Sequence, residues 1–207
     1  MRIRLPMVLL GVTVAAAAAG CTETSTGDPK PGSSTSRTSE SAGDNLPSNG
    51  APKVEDPVDA DEYEQDPCKA LTSQQAQELN VANSERDEEH ETFGPACRWN
   101  SPESDGSLAI TFFTKDSEGL SSVYKQNDNG DFAFFEEVSD IEGYPAVAYD
   151  TKDSKPATIC AVSVGLSDQL AFDARVHLST ENIGKKDPCD TAAMVAGLVM
   201  KNLTKGE

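Results

Sequence analysis

The residues best equipped for chemistry in this chain are its five cysteines. Cys21 follows Ala18-Ala19-Gly20 at the end of an apolar run. Small side chains before a cysteine let the backbone enter a lipoprotein signal peptidase, and the thiol exposed by the cut is then diacylated. The remaining four, Cys68, Cys97, Cys160 and Cys189, form an even set, which in an exported chain implies two disulfides. Three connectivities exist. Cys68–Cys97 with Cys160–Cys189 is the expected one, because each bridge ties a helix start to a strand beside it in sequence. Each closes a loop of about 30 residues, worth on the order of 3 kcal/mol. A zinc site built from all four would want paired C-x-x-C spacing, which the chain lacks.

Other candidates are weaker. In residues 125–136, Asn127, Asn129, Gly130 and Glu136 fall at positions three, five, six and twelve of an EF-hand loop. The first position, the main acidic ligand, is Lys125, so an Asn-Gly turn leading into a strand is expected, with Lys125 free to pair with Asp128 or Asp131. His90 sits in an acidic run and His177 on the polar side of a strand pattern, and neither has a G-x-S-x-G nucleophile to serve. The carboxylate pairs Glu88-Glu89, Glu136-Glu137 and Asp61-Glu62 are adjacent in an acidic chain, which by itself does not hold two carboxyls at a catalytic separation. Asn202-Leu203-Thr204 has the form of a glycosylation sequon but lies near the end of a helical pattern. No glycine-rich nucleotide fingerprint occurs. The expectation is a domain with no catalytic residues, no metal and no cofactor.

These residues must be positioned by elements the pattern discloses. Asp66-Pro67-Cys68 and Asp187-Pro188-Cys189 each offer an N-capping Asp and a Pro suited to the first helical position, placing a cysteine in a first turn. Thr72 and Gln75 have capping-box spacing for a helix reaching about Leu79. Ala192, Val195, Ala196, Val199 and Leu203 make a core-facing stripe of helical period. Between them the period is mostly two. Leu170, Phe172, Ala174, Val176 and Leu178 alternate with Ala171, Asp173, Arg175 and His177, which predicts a half-buried strand with one wet face. Strands are also predicted over residues 96–99, 108–114, 132–138, 144–149 and 158–165, and a helix over 117–126. Phe134 and Phe135 are consecutive, so a strand sends them to opposite faces, one into the core and the other beneath a helix or onto a partner surface. The order predicts an α+β single domain, an antiparallel β-sheet with helices packed on one face and two disulfides.

Ahead of the domain, Arg2 and Arg4 precede a largely apolar stretch over residues 5–19, the length of a signal peptide and short of a membrane-spanning helix. Residues 1–20 are therefore expected to be a lipoprotein signal peptide. Residues 21–62, rich in Ser, Thr, Pro, Gly and acids, are expected to be a disordered tether with a reach of roughly 35 Å, and 63–207 the folded domain. The formal net charge is −18, and the leader removes only cations, so the processed chain is more acidic still. Such a surface repels nucleic acid and anionic headgroups. The membrane is expected to be reached through the lipid on Cys21 alone, at the extracytoplasmic face of the cell membrane, with an envelope protein or small molecule as partner.

Taken in order, a lipobox, a Ser/Thr/Pro-rich tether, Asp66-Pro67-Cys68 followed by Leu71-Thr72, Cys97-Arg98-Trp99 after a glycine, Glu142-Gly143-Tyr144-Pro145 turning into a strand, a cysteine-bearing strand and a terminal Asp187-Pro188-Cys189 helix resemble the actinobacterial lipoproteins grouped as the domain-of-unknown-function family 3558. The resemblance implies an actinobacterial cell envelope and a shared fold, and no catalytic residues. The leading functional expectation is a non-catalytic binding domain on a lipid anchor. The alternatives are an envelope enzyme with a carboxylate-based site and a carrier of an apolar small molecule or lipid held between sheet and helices.

Overall fold

Residues 159–177 form a hairpin of β6 (Ile159–Gly165) and β7 (Ala171–His177) around which the computed structural model is built. The structure describes residues 45–87, 92–151 and 158–206. Seven strands make one sheet, the others being β1 (Asn83–Arg86), β2 (Ala96–Asn100), β3 (Ser107–Phe112), β4 (Phe134–Ile141) and β5 (Tyr144–Asp150). Their order is β1-β2-β3-β7-β6-β5-β4, every neighbouring pair antiparallel. Two meanders are thus joined edge to edge by β3 and β7, which puts the last strand in chain order at the centre. The β4–β5 turn places Glu142 at φ 52° and Gly143 at φ 89°. Both central residues of this two-residue turn lie in the left-handed region, as a type I′ hairpin requires.

The long helix α4 (Pro188–Leu203) lies on one face against β6 and β7. Its buried stripe of Ala192, Val195, Ala196, Val199, Met200 and Leu203 meets Ala146, Ala148, Cys160, Val162, Val164, Phe172, Ala174 and Val176 in one core. Asp187 Oδ1 caps the helix by accepting from the amides of Cys189 (2.7 Å) and Asp190 (3.3 Å). On the same side are α1 (Asp61–Gln65), a 3-10 turn at Pro67–Ala70 and α2 (Ser73–Glu78). The capping box of α2 is present in full: Thr72 Oγ1 accepts from the Gln75 amide (3.2 Å) and the Thr72 amide donates to Gln75 Oε1 (2.8 Å). The expected α+β class, an antiparallel sheet with two disulfides, is what the chain adopts, with α1, α2 and α4 packed to one side. Cys68–Cys97 ties the 3-10 turn to β2 and Cys160–Cys189 ties β6 to the first turn of α4.

Four expectations need correction. The first Asp-Pro-Cys forms a 3-10 turn, and Asp66 makes no side-chain cap, because the chain bends again at Leu71 before α2 begins. The helix α3 (Leu120–Asp128) starts three residues later than expected, Ser117 having a positive φ of 53° that no helix continues. The ordered chain begins well before residue 63. Ala51, Val54, Val58 and Ala60 are buried, the Val58 amide donates to the Leu166 carbonyl (2.9 Å), and the Val54 amide donates to Asp168 Oδ1 (3.0 Å). A Cβ on Gly165 would lie 3.0 Å from Val54 Cγ2, so that glycine lets the segment settle on the end of β6. Two isolated valines suffice because each finds a ready pocket. The rest of the expected tether, residues 21–44, and the leader lie outside the described residues.

The fourth correction concerns β7. Ala171 and Asp173 are buried and Arg175 is half-buried, leaving His177 as the exposed member of the supposedly wet series. A central strand has neighbours on both edges, and α3 closes part of its second face. Leu120, Val123 and Tyr124 of α3 cluster with Phe113, Val147, Tyr149, Ala161 and Ala171. The aromatic pair splits as expected: Phe134 packs on the main core, and Phe135 goes under α3, 5.1 Å edge-on from Tyr124.

Peptide mapping without reduction should recover Cys68 with Cys97 and Cys160 with Cys189. Replacing Cys160 and Cys189 together by Ser should cost about 3 kcal/mol in denaturant unfolding. Met200, fully buried under α4, should cost about 2–5 kcal/mol as Ala. A near-neutral effect at Met200 would mean that α4 is not seated as described.

Candidate functional site

At the end of the sheet where β3 begins and β7 finishes, α4 overhangs and leaves a groove of about 740 Å³. Its lining mixes polar and apolar surface: Leu108, Val176, Leu178 and Val195 are each 5% exposed or less, while Leu79 and Leu198 are partly exposed. Glu78, Glu103 and Glu181 stand on its rim with one cation, Lys186. All four are exposed. Met194, half exposed at 51%, projects from α4 into the lining, and Ile183, 41% exposed, follows the lining residue Asn182. Phe93 is the one other large apolar side chain that exposed among the described residues. Of these three side chains, Met194 lines the groove.

The walls are tied to one another. Asp105 in the β2–β3 loop accepts from the Thr180 amide (2.8 Å) and from the Thr180 hydroxyl, joining the loop to the 3-10 turn Thr180–Asn182. The Thr180 hydroxyl and amide hold the Asp105 carboxyl below the usual carboxylate range. Asn182 Nδ2 donates to Ser179 Oγ (2.9 Å), and the Ser101 amide donates to the Gly106 carbonyl (2.9 Å). A groove braced in this way exists before anything binds, which keeps the ordering cost of binding small.

The second polar feature lies on the opposite face, at β5, β6 and β7. Asp173 faces Thr111 of β3 and Ser163 of β6 in register, and the Ser163 hydroxyl donates to Asp173 Oδ1 (3.0 Å). Arg175 stands between two acids, 3.8 Å from Asp173 Oδ2 and 3.8 Å from Asp150 Oδ1, with its guanidinium 5.8 Å over the Tyr149 ring. One cation answers two buried carboxylates. Burial pushes the Asp173 carboxyl above its ordinary range, against the pull of Arg175 and the hydroxyls of Ser163 and Tyr149. Burial, with the nearby Asp173 charge, likewise raises the Tyr149 phenol. Both acids turn to Arg175, and neither lines the groove. The cluster binds three central strands through polar contacts, and it does not present two convergent carboxyls to a substrate.

The sequence-predicted residues scatter. Cys21 and His90, with Glu88 and Glu89, lie outside the described residues. His177 is exposed and lines the groove. Glu137 accepts from the Tyr124 hydroxyl (2.9 Å), which locks β4 to α3. Lys125 pairs with Glu118 at 3.3 Å and not with Asp128 or Asp131, because helix geometry carries its side chain back along α3. Residues 125–128 are the last turn of that helix, so the backbone there is not a calcium loop, and the turn expected at Asn129-Gly130 follows it. Asn202 of the apparent sequon is buried. Its amide donates to the Ala70 carbonyl (2.9 Å) and Gln75 Oε1 (2.8 Å), clamping the end of α4 to α2. Sequence reasoning missed the groove, which forms from four separate segments. It also misread Asp173, although Ser163 inside an otherwise apolar strand was a signal of a polar partner.

Two measurements test these assignments. An unfolded Asp titrates near 3.9, and the folded Asp173 titrates higher. The folded chain then keeps a proton the unfolded chain has lost, so this group's stabilisation is complete below about pH 3.9 and is lost as pH rises through the folded value. Asp173→Asn removes that titration, and denaturant unfolding from about pH 4 to about pH 8 should show a smaller fall than in the wild type. Parallel falls would place the titration elsewhere. For calcium, calorimetry at about 0.15 M salt should show no saturable micromolar site, only weak heats that fade as salt screens the surface. A micromolar site lost in Glu136→Gln would refute this.

A family model described as "Protein of unknown function (DUF3558)" matches residues 16–202. No curated protein and no solved structure matches the chain. The family match spans Cys21, both disulfides, the whole sheet and nearly all of α4. The chain belongs to the protein family of unknown function DUF3558.

Proposed function

We propose that this protein is a lipid-anchored component of an actinobacterial cell envelope, held through acylated Cys21 at the extracytoplasmic face, whose α+β domain binds a partner without catalysis. The observation that carries the reading is the braced groove beside the first half of α4, with Met194 exposed in its lining. Two disulfides suit a chain that matures in an oxidising compartment. The small residues before Cys21 and the cationic start of the chain suit lipoprotein processing.

The alternatives draw less support. A carrier of an apolar molecule between sheet and helix needs an internal cavity, whereas Val162, Ala174, Ala196 and Val199 meet there with no exposed surface. An enzyme with a carboxylate-based site needs acids converging on a cleft, whereas Asp150 and Asp173 converge on Arg175 inside the sheet.

Cys21→Ala should move the protein from the membrane fraction to the soluble fraction or leave it unprocessed, and intact mass should show two acyl chains on the wild type alone. Membrane retention of the variant together with an unacylated wild type would defeat the anchor.

A further inference from the structure

We propose that the groove beside the first half of α4 receives a peptide segment of a partner protein whose apolar side chains are flanked by Lys or Arg. The inference rests on the binding-domain reading above and names its occupant. The apolar half of the recognition comes from Leu79 and Leu198, which stay partly exposed in a lining backed by the buried Leu108, Val176, Leu178 and Val195. Met194 adds a flexible, polarizable lip that repacks around an inserted side chain. The rim supplies the charge. Glu78, Glu103 and Glu181 surround the opening against Lys186 alone, and all are solvated, so they act by steering and selecting a cationic partner. Ser104 and Ser107 in the lining offer hydroxyls to a peptide main chain.

Other occupants fit less well. A second copy of this chain brings its own charge of −18 against an acidic rim. An anionic headgroup meets the same repulsion. A neutral apolar molecule leaves the rim acids without a role. A cationic amphipathic peptide satisfies lining and rim together, the pairing that gives amphipathic segments their affinity for grooves.

The test uses the full chain carrying Cys21→Ala, with a short synthetic peptide of leucines flanked by lysines as probe. A glutamate-flanked peptide and a fatty acid serve as controls. Binding is measured by calorimetry and located by amide chemical shifts. The lysine peptide should bind at least roughly tenfold tighter than the glutamate peptide and weaken as salt rises. Its shifts should centre on Met194, Leu198 and residues 177–182. Met194→Glu should abolish this binding, and the double variant Glu103→Lys, Glu181→Lys should reverse the preference. Both variants alter exposed side chains, and recovery of both disulfides checks their fold. Equal affinity for the two peptides, shifts centred elsewhere, or self-association through Met194 would overturn the proposal. Fatty-acid binding in the groove without the lysine peptide would overturn the occupant and leave the binding domain standing. No binding by any probe would remove both.

Discussion

The seating of α4 across β6 and β7 is the contact on which the rest of this fold depends. Alanines make it possible from both sides. Ala146, Ala148 and Ala174 on the sheet face Ala192 and Ala196 of the helix, all with 4% exposure or less. Small side chains bring the helix close, and the larger Val195, Val199 and Met200 then fill the space between them at interior density. Each end of the helix is fastened by different chemistry. Cys160–Cys189 holds its first turn to β6, and the buried amide of Asn202 holds its last turn to Ala70 and Gln75. The second fastening reaches the first disulfide as well, since Ala70 ends the 3-10 turn that carries Cys68. The two bridges therefore bind the start and the end of one helical layer to one sheet.

The groove follows from that arrangement. The first half of α4 lines it together with the start of β3 and the end of β7. Loops from three other parts of the chain wall it off, and the Asp105–Thr180 contact joins two of them. A site made at such a junction is rigid because its supports are rigid, not because its own residues pack tightly. The acidic rim needs no special arrangement in a chain this acidic, and Met194 is the one large apolar side chain more than half exposed in the lining among the described residues.

The opposite face shows what burying a central strand costs. β7 carries Asp173 and Arg175 into positions that a two-layer fold with one wet face would leave in water. Ser163 and Tyr149 from neighbouring strands meet the side chains there, and Arg175 is shared between two acids. Buried ions of this kind add little net stability, because desolvation offsets most of their attraction. They do make a shifted register expensive, since a one-residue slip would send Asp173 into the α4 core without Ser163.

Much of this was legible in the sequence because it depends on neighbours along the chain. The stripe of α4, its Asp187 cap, the Thr72 box, and the apolar runs of β3, β5, β6 and β7 are all local patterns with local causes. The strand β1, Asn83–Arg86, was invisible because all four of its residues are exposed at an edge and alternate nothing. The burial of residues 51–60 depended on pockets beside Gly165 and Asp168, more than a hundred positions away. Burial of Asp173 depended on β7 being inserted between β3 and β6, an order that no period-two pattern contains. The sequence by itself determined most of the elements, the class of fold, the favoured pairing of the cysteines and the acidity of the chain. Only the tertiary structure decided which strand is central, which polar residues are enclosed and where the groove opens, because each of those is set by contacts between segments that carry no record of one another.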